Sequence, residues 1–205
     1  MSHAEVFIRL WRRNPIAPRN PDVIVSITYG TLPDRLTNCT FANMRTAGEI
    51  ARRFPRAVIA FANAGNCFRG SEHVEHTKKA ELLKAMCVDP ARYIEASETI
   101  YNTVTECRAI RDALSNAGIR PREMTIVTEE SHSRGAMYIW EHEFPGVKLS
   151  LVHVPFQYAY QPDHPITLQT GPWMWIFANV LRQIALRTLG VDAIAKVVHH
   201  AKVRS

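Results

Sequence analysis

The stretch Met124 to Tyr138, MTIVTEESHSRGAMY, decides the fold. Its apolar run (Met124, Ile126, Val127) stops at Thr128, and a polar turn carries Glu129, Glu130, Ser131, His132, Ser133 and Arg134. Ala136, Met137, Ile139 and Trp140 then follow at helical spacing. That order is strand, loop, helix. In open α/β sheets the loops at the carboxyl ends of the strands are free of packing duty, and helix N-termini point into the crevice between them. A histidine and an arginine on such a loop sit where an anion would be held. The competing reading is a solvated turn in which Ser131 or Ser133 caps the helix.

Outward from this stretch the alternation repeats. Strands are expected at Val23 to Thr28, Ala57 to Phe61, Tyr93 to Ala96, Met124 to Thr128 and Val147 to Val154, with helices over Phe41 to Phe54, Glu72 to Met86, Asn102 to Asn116 and Gly135 to Glu143. Right-handed crossovers between such units imply an α/β fold: a doubly wound, mostly parallel five-stranded sheet, Rossmann-like, with helices on both faces. Three segments follow. Residues 1–21 form an amphipathic helix (Val6, Phe7, Leu10, Trp11) and a proline-rich linker, 22–155 the α/β domain, and 156–205 an irregular loop and a helical extension. In that extension the apolar face of Gly171 to Leu189 is read as Trp173, Ile176, Phe177, Val180, Leu181 and Ile184, and Asp192 opens a last basic helix through Lys202.

At 205 residues the chain can bury a core without metal or disulfide staples. The net charge of +6 would suggest a polyanionic partner, but residues 1–21 and 182–205 carry all of the excess, and aromatic side chains are not interleaved with those charges. Nucleic acid is therefore not an expected partner. The four cysteines show no C-x-x-C spacing, no leader-like segment opens the chain, and no apolar run approaches the roughly 20 residues of a membrane span, so a cytoplasmic protein is expected.

Several residues invite chemistry. His132 can give and take a proton near neutrality, with Glu129, Glu130 or Glu75 to orient it. Arg134 at a helix start opposes the helix dipole unless an anion intervenes. Gly30 and Gly65 let backbone amides approach a ligand, and Asn63 and Asn66 are short polar groups on the loop after the second strand. His73 and His76 flank Glu75, but no H-E-x-x-H or complete ligand set exists and no metal is expected. Thr103-Val104-Thr105-Glu106 has the form of a capping box headed by Thr103. Neither G-x-G-x-x-G nor a P-loop is present.

Residues 22 to about 154 resemble the YdcF-like and SanA-like domain of unknown function. The matching motifs are Asp22-Val23-Ile24-Val25 through Gly30; Ala62-Asn63-Ala64-Gly65; Glu75 ahead of Cys87-Val88-Asp89-Pro90, where the family has Gly-Val-Pro; Glu98 to Asn102-Thr103; and Thr128, His132, Arg134 and Ala136. The chain departs from the pattern in having only Gly65 of a Ser-Gly-Gly end and Gly135 where the family's arginine precedes Ala136. An arginine expected on the first helix falls near Asn43. The resemblance implies a Rossmann-like sheet with a strand-end pocket for an anionic, nucleotide-like or phosphorylated small molecule, S-adenosylmethionine among the candidates. Group transfer or hydrolysis would use His132 and Glu75 as catalytic residues, with Gly30, Asn63, Gly65, Asn66, Glu98, Asn102, Thr103, Thr128 and Arg134 around the ligand. The alternative is a non-catalytic binding or regulatory module, or a role in envelope lipid-carrier metabolism. Such a module would dock through Trp173, Met174, Trp175 and Phe177, against a second subunit as a homodimer or against a membrane surface.

Overall fold

A computed structural model describes residues 2–64, 72–100 and 102–195. Five strands, β1 (Val23–Ser26), β2 (Val58–Ala64), β3 (Tyr93–Ile100), β4 (Glu123–Glu129) and β5 (Lys148–Val154), form one sheet in the order β3-β2-β1-β4-β5. Every pairing is parallel, with Val25 opposite Ala60 on one side and Ile126 on the other. The doubly wound expectation holds, and the sheet is wholly parallel. Buried from both faces, the central strand needs an uninterrupted apolar run, and all four residues of β1 are buried.

The crossover helices are α2 (Asn38–Arg53), α3 (Glu72–Ala85), α4 (Thr103–Asn116) and α5 (Ser133–Glu143). α2 packs with α3 over one face, while α4 packs with α5 over the other. Winding reverses at β1, whose neighbours β2 and β4 are reached by connections on opposite faces. The loops after β1 and β4 therefore part and leave a crevice, the position at which such sheets take ligands.

Both ends of the chain return to this body. α1 (His3–Trp11) is held by a Ser2/Glu5 capping box, and the proline-rich segment after it pairs with the sheet edge: Ile16 and Leu151 exchange antiparallel hydrogen bonds of 2.9 Å. The expected linker thus covers part of the otherwise open β5 edge. α6 (Pro172–Leu189) packs against α5 and α1, and its inward face differs from the expected one. Trp175, Ile176, Asn179, Gln183 and Leu186 are buried, whereas Trp173, Phe177, Leu181 and Ile184 are each about half exposed or more. Hydrogen bonds help turn the helix this way: Trp175 meets Glu129 at the end of β4, and Asn179 meets Ser131 and His132 in the loop beyond it. The helix starts after Gly171 with no side-chain cap, and of the last helix expected from Asp192 only residues up to 195 are described.

Candidate functional site

A cavity of about 210 Å³ opens at the carboxyl ends of the strands, at the switch point. Thr28 to Gly30 after β1, Asn102, Thr103 and Glu106 at the start of α4, and His132 after β4 line it. Gln169, Trp175 and Arg182 of the extension close it. Gly30 has φ of 87°, a left-handed turn that suits glycine.

His132 is buried and held on three sides. Its Nε2 lies 2.9 Å from Thr103 Oγ1, and its Nδ1 lies 3.0 Å from Asn179 Oδ1 and 2.9 Å from Arg182 Nη1. The Tyr29 ring meets it edge-on, with centroids 5.7 Å apart, and the Trp175 ring lies 6.3 Å away. Burial, and then the charge of Arg182, push the imidazole down to about 3, with the Asn179 bond opposing, so the ring is neutral at physiological pH.

The turn around His132 is built by neither expected cap. Ser131 donates from both its amide and its hydroxyl to Glu129, at 2.7 and 2.6 Å, and the Ser133 hydroxyl donates to Glu130 O. Glu129 also accepts from Trp175 Nε1 at 3.0 Å, which pins α6 to the end of β4. Burial raises the Glu129 carboxyl to about 7 in spite of these donors.

At the start of α4 the residue roles differ from the sequence reading. Asn102 is the cap, its Oδ1 accepting from the amides of Val104 and Thr105, with Thr105 completing the box. Thr103 does not head a capping box, and its hydroxyl is turned to His132. Glu106, read as the box's acid, is buried instead, accepts from the Thr28 amide at 2.8 Å, and is raised by burial to about 8.

Glu75 lies at the same end of the sheet but does not reach His132. It forms a buried pair with Lys79 at 2.6 Å, accepts from the Ala64 amide at 2.8 Å and bonds the Thr28 hydroxyl. Lys79 spends its three protons on Glu75, Thr28 Oγ1 and Ala62 O. This pair ties the ends of β1 and β2 together through Thr28, Ala62 and Ala64.

Of the other expected ligand residues, Thr128 sits behind the cavity, its hydroxyl 2.8 Å from the Tyr29 hydroxyl. Asn63 bonds Glu95 on β3. Arg134 faces away: it donates to Trp11 O at 2.8 Å and stacks over the Trp11 ring at 5.0 Å, so it anchors α1. Gly65, Asn66 and the Glu98 side chain lie outside the described part.

Trp175, Asn179 and Arg182, three residues of one helix, were not expected at the site. Their i, i+4 and i+7 spacing on one face was a readable signal, but the apolar stripe on the opposite side of the helix obscured it. Arg182 is half-buried, stacks over Trp175 at 5.3 Å and makes no ion pair among the described residues. A guanidinium that lines a cavity without an ion-pair partner among the described residues is suited to an anionic ligand. No helix among the described residues is long and apolar enough to cross a membrane. No protein-family model matches the chain, and no curated protein matches it.

Proposed function

We propose that the protein is a YdcF-like enzyme that binds an anionic, phosphorylated or nucleotide-like small molecule at the strand ends and carries out group transfer or hydrolysis on it. His132 handles the proton, Arg182 receives the anion, and the cavity walls at Gly30, Asn102 and Thr103 position the rest. The observation that carries this reading is Arg182: a guanidinium without a carboxylate partner among the described residues, lining the same 210 Å³ cavity as His132.

The resemblance gains support from one local feature. Cys87 stands where the family has glycine, and its φ is 59°, a left-handed position. Gly135, by contrast, departs from the family, which has arginine there; α6 occupies the adjoining space, with Gln183 Oε1 3.4 Å from where a Cβ at 135 would lie. In this chain the guanidinium beside His132 comes from α6 instead. The cavity is smaller than the roughly 300–1,000 Å³ of sites for drug-sized ligands, which favours a small anionic group over an entire S-adenosylmethionine.

A thermal-shift panel of inorganic phosphate, sugar phosphates, nucleotides and S-adenosylmethionine tests the reading. Stabilisation by a phosphate-bearing compound, lost in Arg182→Gln, is expected. Absence of a shift with every compound would refute it.

A second reading has its own support: Trp173, Phe177, Leu181 and Ile184 form an exposed apolar stripe on α6, suited to docking on another surface. Trp175 belongs to the cavity, so the informative variant is Trp173→Ser/Phe177→Ser. Loss of cellular function in that variant with the ligand shift intact would favour a docking module, through a second subunit or a membrane.

A further inference from the structure

We infer that Thr103 is a nucleophile, activated by His132 in the tautomer that Asn179 holds, and that Arg182 blocks this tautomer until a bound anion draws its guanidinium away. The inference rests on the proposed binding of an anion at Arg182 and names the reaction class as acyl transfer.

Three residues on three elements carry it. Thr103 opens α4 and leaves the capping to Asn102, so its hydroxyl is free for His132 Nε2 at 2.9 Å. His132 ends the loop after β4. Asn179 comes from α6, and its amide orientation is fixed because Nδ2 donates to Trp175 O at 3.0 Å and to Ser131 Oγ at 3.3 Å. Its Oδ1 therefore faces Nδ1 and asks for a proton there. A hydroxyl on one imidazole nitrogen and an oriented amide oxygen on the other is the arrangement by which a histidine is held as a general base.

Arg182 contradicts it. Nδ1 can either donate to Asn179 or accept from a guanidinium, which has only donors, and the two partners lie 3.0 and 2.9 Å from the same nitrogen. With Arg182 on Nδ1 the proton resides on Nε2, which then donates to Thr103 and cannot take its proton. Arg182 Nη1 also lies 3.4 Å from Asn179 Oδ1, and the guanidinium faces the cavity, so an anion there offers it a stronger partner. Once it turns to the anion, Nδ1–H pairs with Asn179 and Nε2 is a base. Withdrawing that charge also relieves the second cause of the imidazole's depressed basicity.

The substrate class is an ester or thioester bearing an anionic group. Thr103 Oγ1 bonds to the carbonyl carbon while its proton passes to His132 Nε2. The C–O or C–S bond to the leaving group breaks, and the leaving group takes that proton. Water then attacks the acyl-threonine, giving its proton to Nε2, and the carboxylic acid is released as Thr103 regains its hydrogen.

A neutral alkyl fluorophosphonate tests the inference, since it forms an Oγ–P bond with loss of fluoride and needs no anion clamp. Tandem mass spectrometry of the labelled protein should place one adduct on Thr103. Labelling should vanish in His132→Ala and in Thr103→Val, and Thr103→Ser should be labelled at that position, which separates loss of the hydroxyl from loss of the fold. Asn179→Ala should slow labelling at least tenfold, and Arg182→Met, which frees the tautomer that the neutral probe cannot free in the wild type, should speed it at least tenfold. The inference is overturned if neither the wild type nor Arg182→Met is labelled at Thr103, or if Arg182→Met is labelled more slowly. Phosphate stabilisation measured on the same wild-type sample reads the proposed function separately. A shift without labelling removes the nucleophile and leaves the binding site; labelling without any shift removes anion binding, and the gating role of Arg182 with it.

Discussion

Arg182 Nη1 lies 2.9 Å from His132 Nδ1, so a cation from the last described long helix sits against the neutral histidine of the sheet's central crevice. Burial lowers the histidine's proton affinity, and the arginine lowers it further. Replacing Arg182 with Met should therefore raise the His132 pKa from about 3 towards the ordinary 6.5, because one of its two lowering causes is gone. An NMR titration of the imidazole carbons checks this. No movement would mean that the guanidinium does not act on the ring.

The buried pair Glu75–Lys79 should be costly to break from one side. Lys79→Met leaves the Glu75 carboxylate fully buried with its cation gone, which should destabilise the fold by about 3–5 kcal/mol. The double variant Glu75→Gln/Lys79→Met should recover at least half of that loss. Chemical denaturation of the three proteins measures both effects.

Stability should peak near pH 6.5. His132, His153 and His164 have folded values lowered to about 3, 4 and 4, so the unfolded chain binds more protons at these sites, and their contribution is lost as pH falls below 6.5. Glu106 and Glu129 have folded values raised to about 8 and 7, so the folded chain keeps their protons, and their contribution is lost as pH rises from about 4.5 through 8. Between pH 4.5 and 6.5 the three histidines outweigh the two carboxyls, and above 6.5 the carboxyls act alone. Melting temperatures across pH 4 to 9 should rise and then fall, and Glu106→Gln should flatten the fall between pH 7 and 8.

Cys87→Gly should stabilise the protein by about 1 kcal/mol. Cys87 takes φ of 59° at the end of α3, where Val88 N bonds Leu83 O and Cys87 N bonds Lys84 O, the paired bonds of a Schellman cap. The side chain is exposed, so the exchange removes left-handed strain and loses little packing. Urea denaturation reads the difference, and a destabilised variant would contradict it.

Local chemistry alone fixed the order of strands and helices. Every expected strand is present to within a few residues because the buried strands at the centre of the sheet are apolar runs, and each crossover helix begins and ends at polar or glycine signals visible in one dimension. The same reasoning put His132 on a loop at the carboxyl ends of the strands, whereas the strand order that makes this the switch point is visible only in the fold. Tertiary packing decided which groups share that crevice. Thr103 was readable as a cap because its spacing to Glu106 fits one, but Asn102 competes for the same amides and wins, and only the approach of β4 gives the freed hydroxyl a histidine. Arg134 was readable as an anion clamp because it starts a helix, yet α1 folds back and supplies a carbonyl and an indole face to hold it. α6 was readable as apolar, and periodicity pointed its stripe inward. Its orientation depends instead on hydrogen bonds to groups more than 40 residues away, Glu129, Ser131 and His132, and no pattern within the helix encodes partners at that distance.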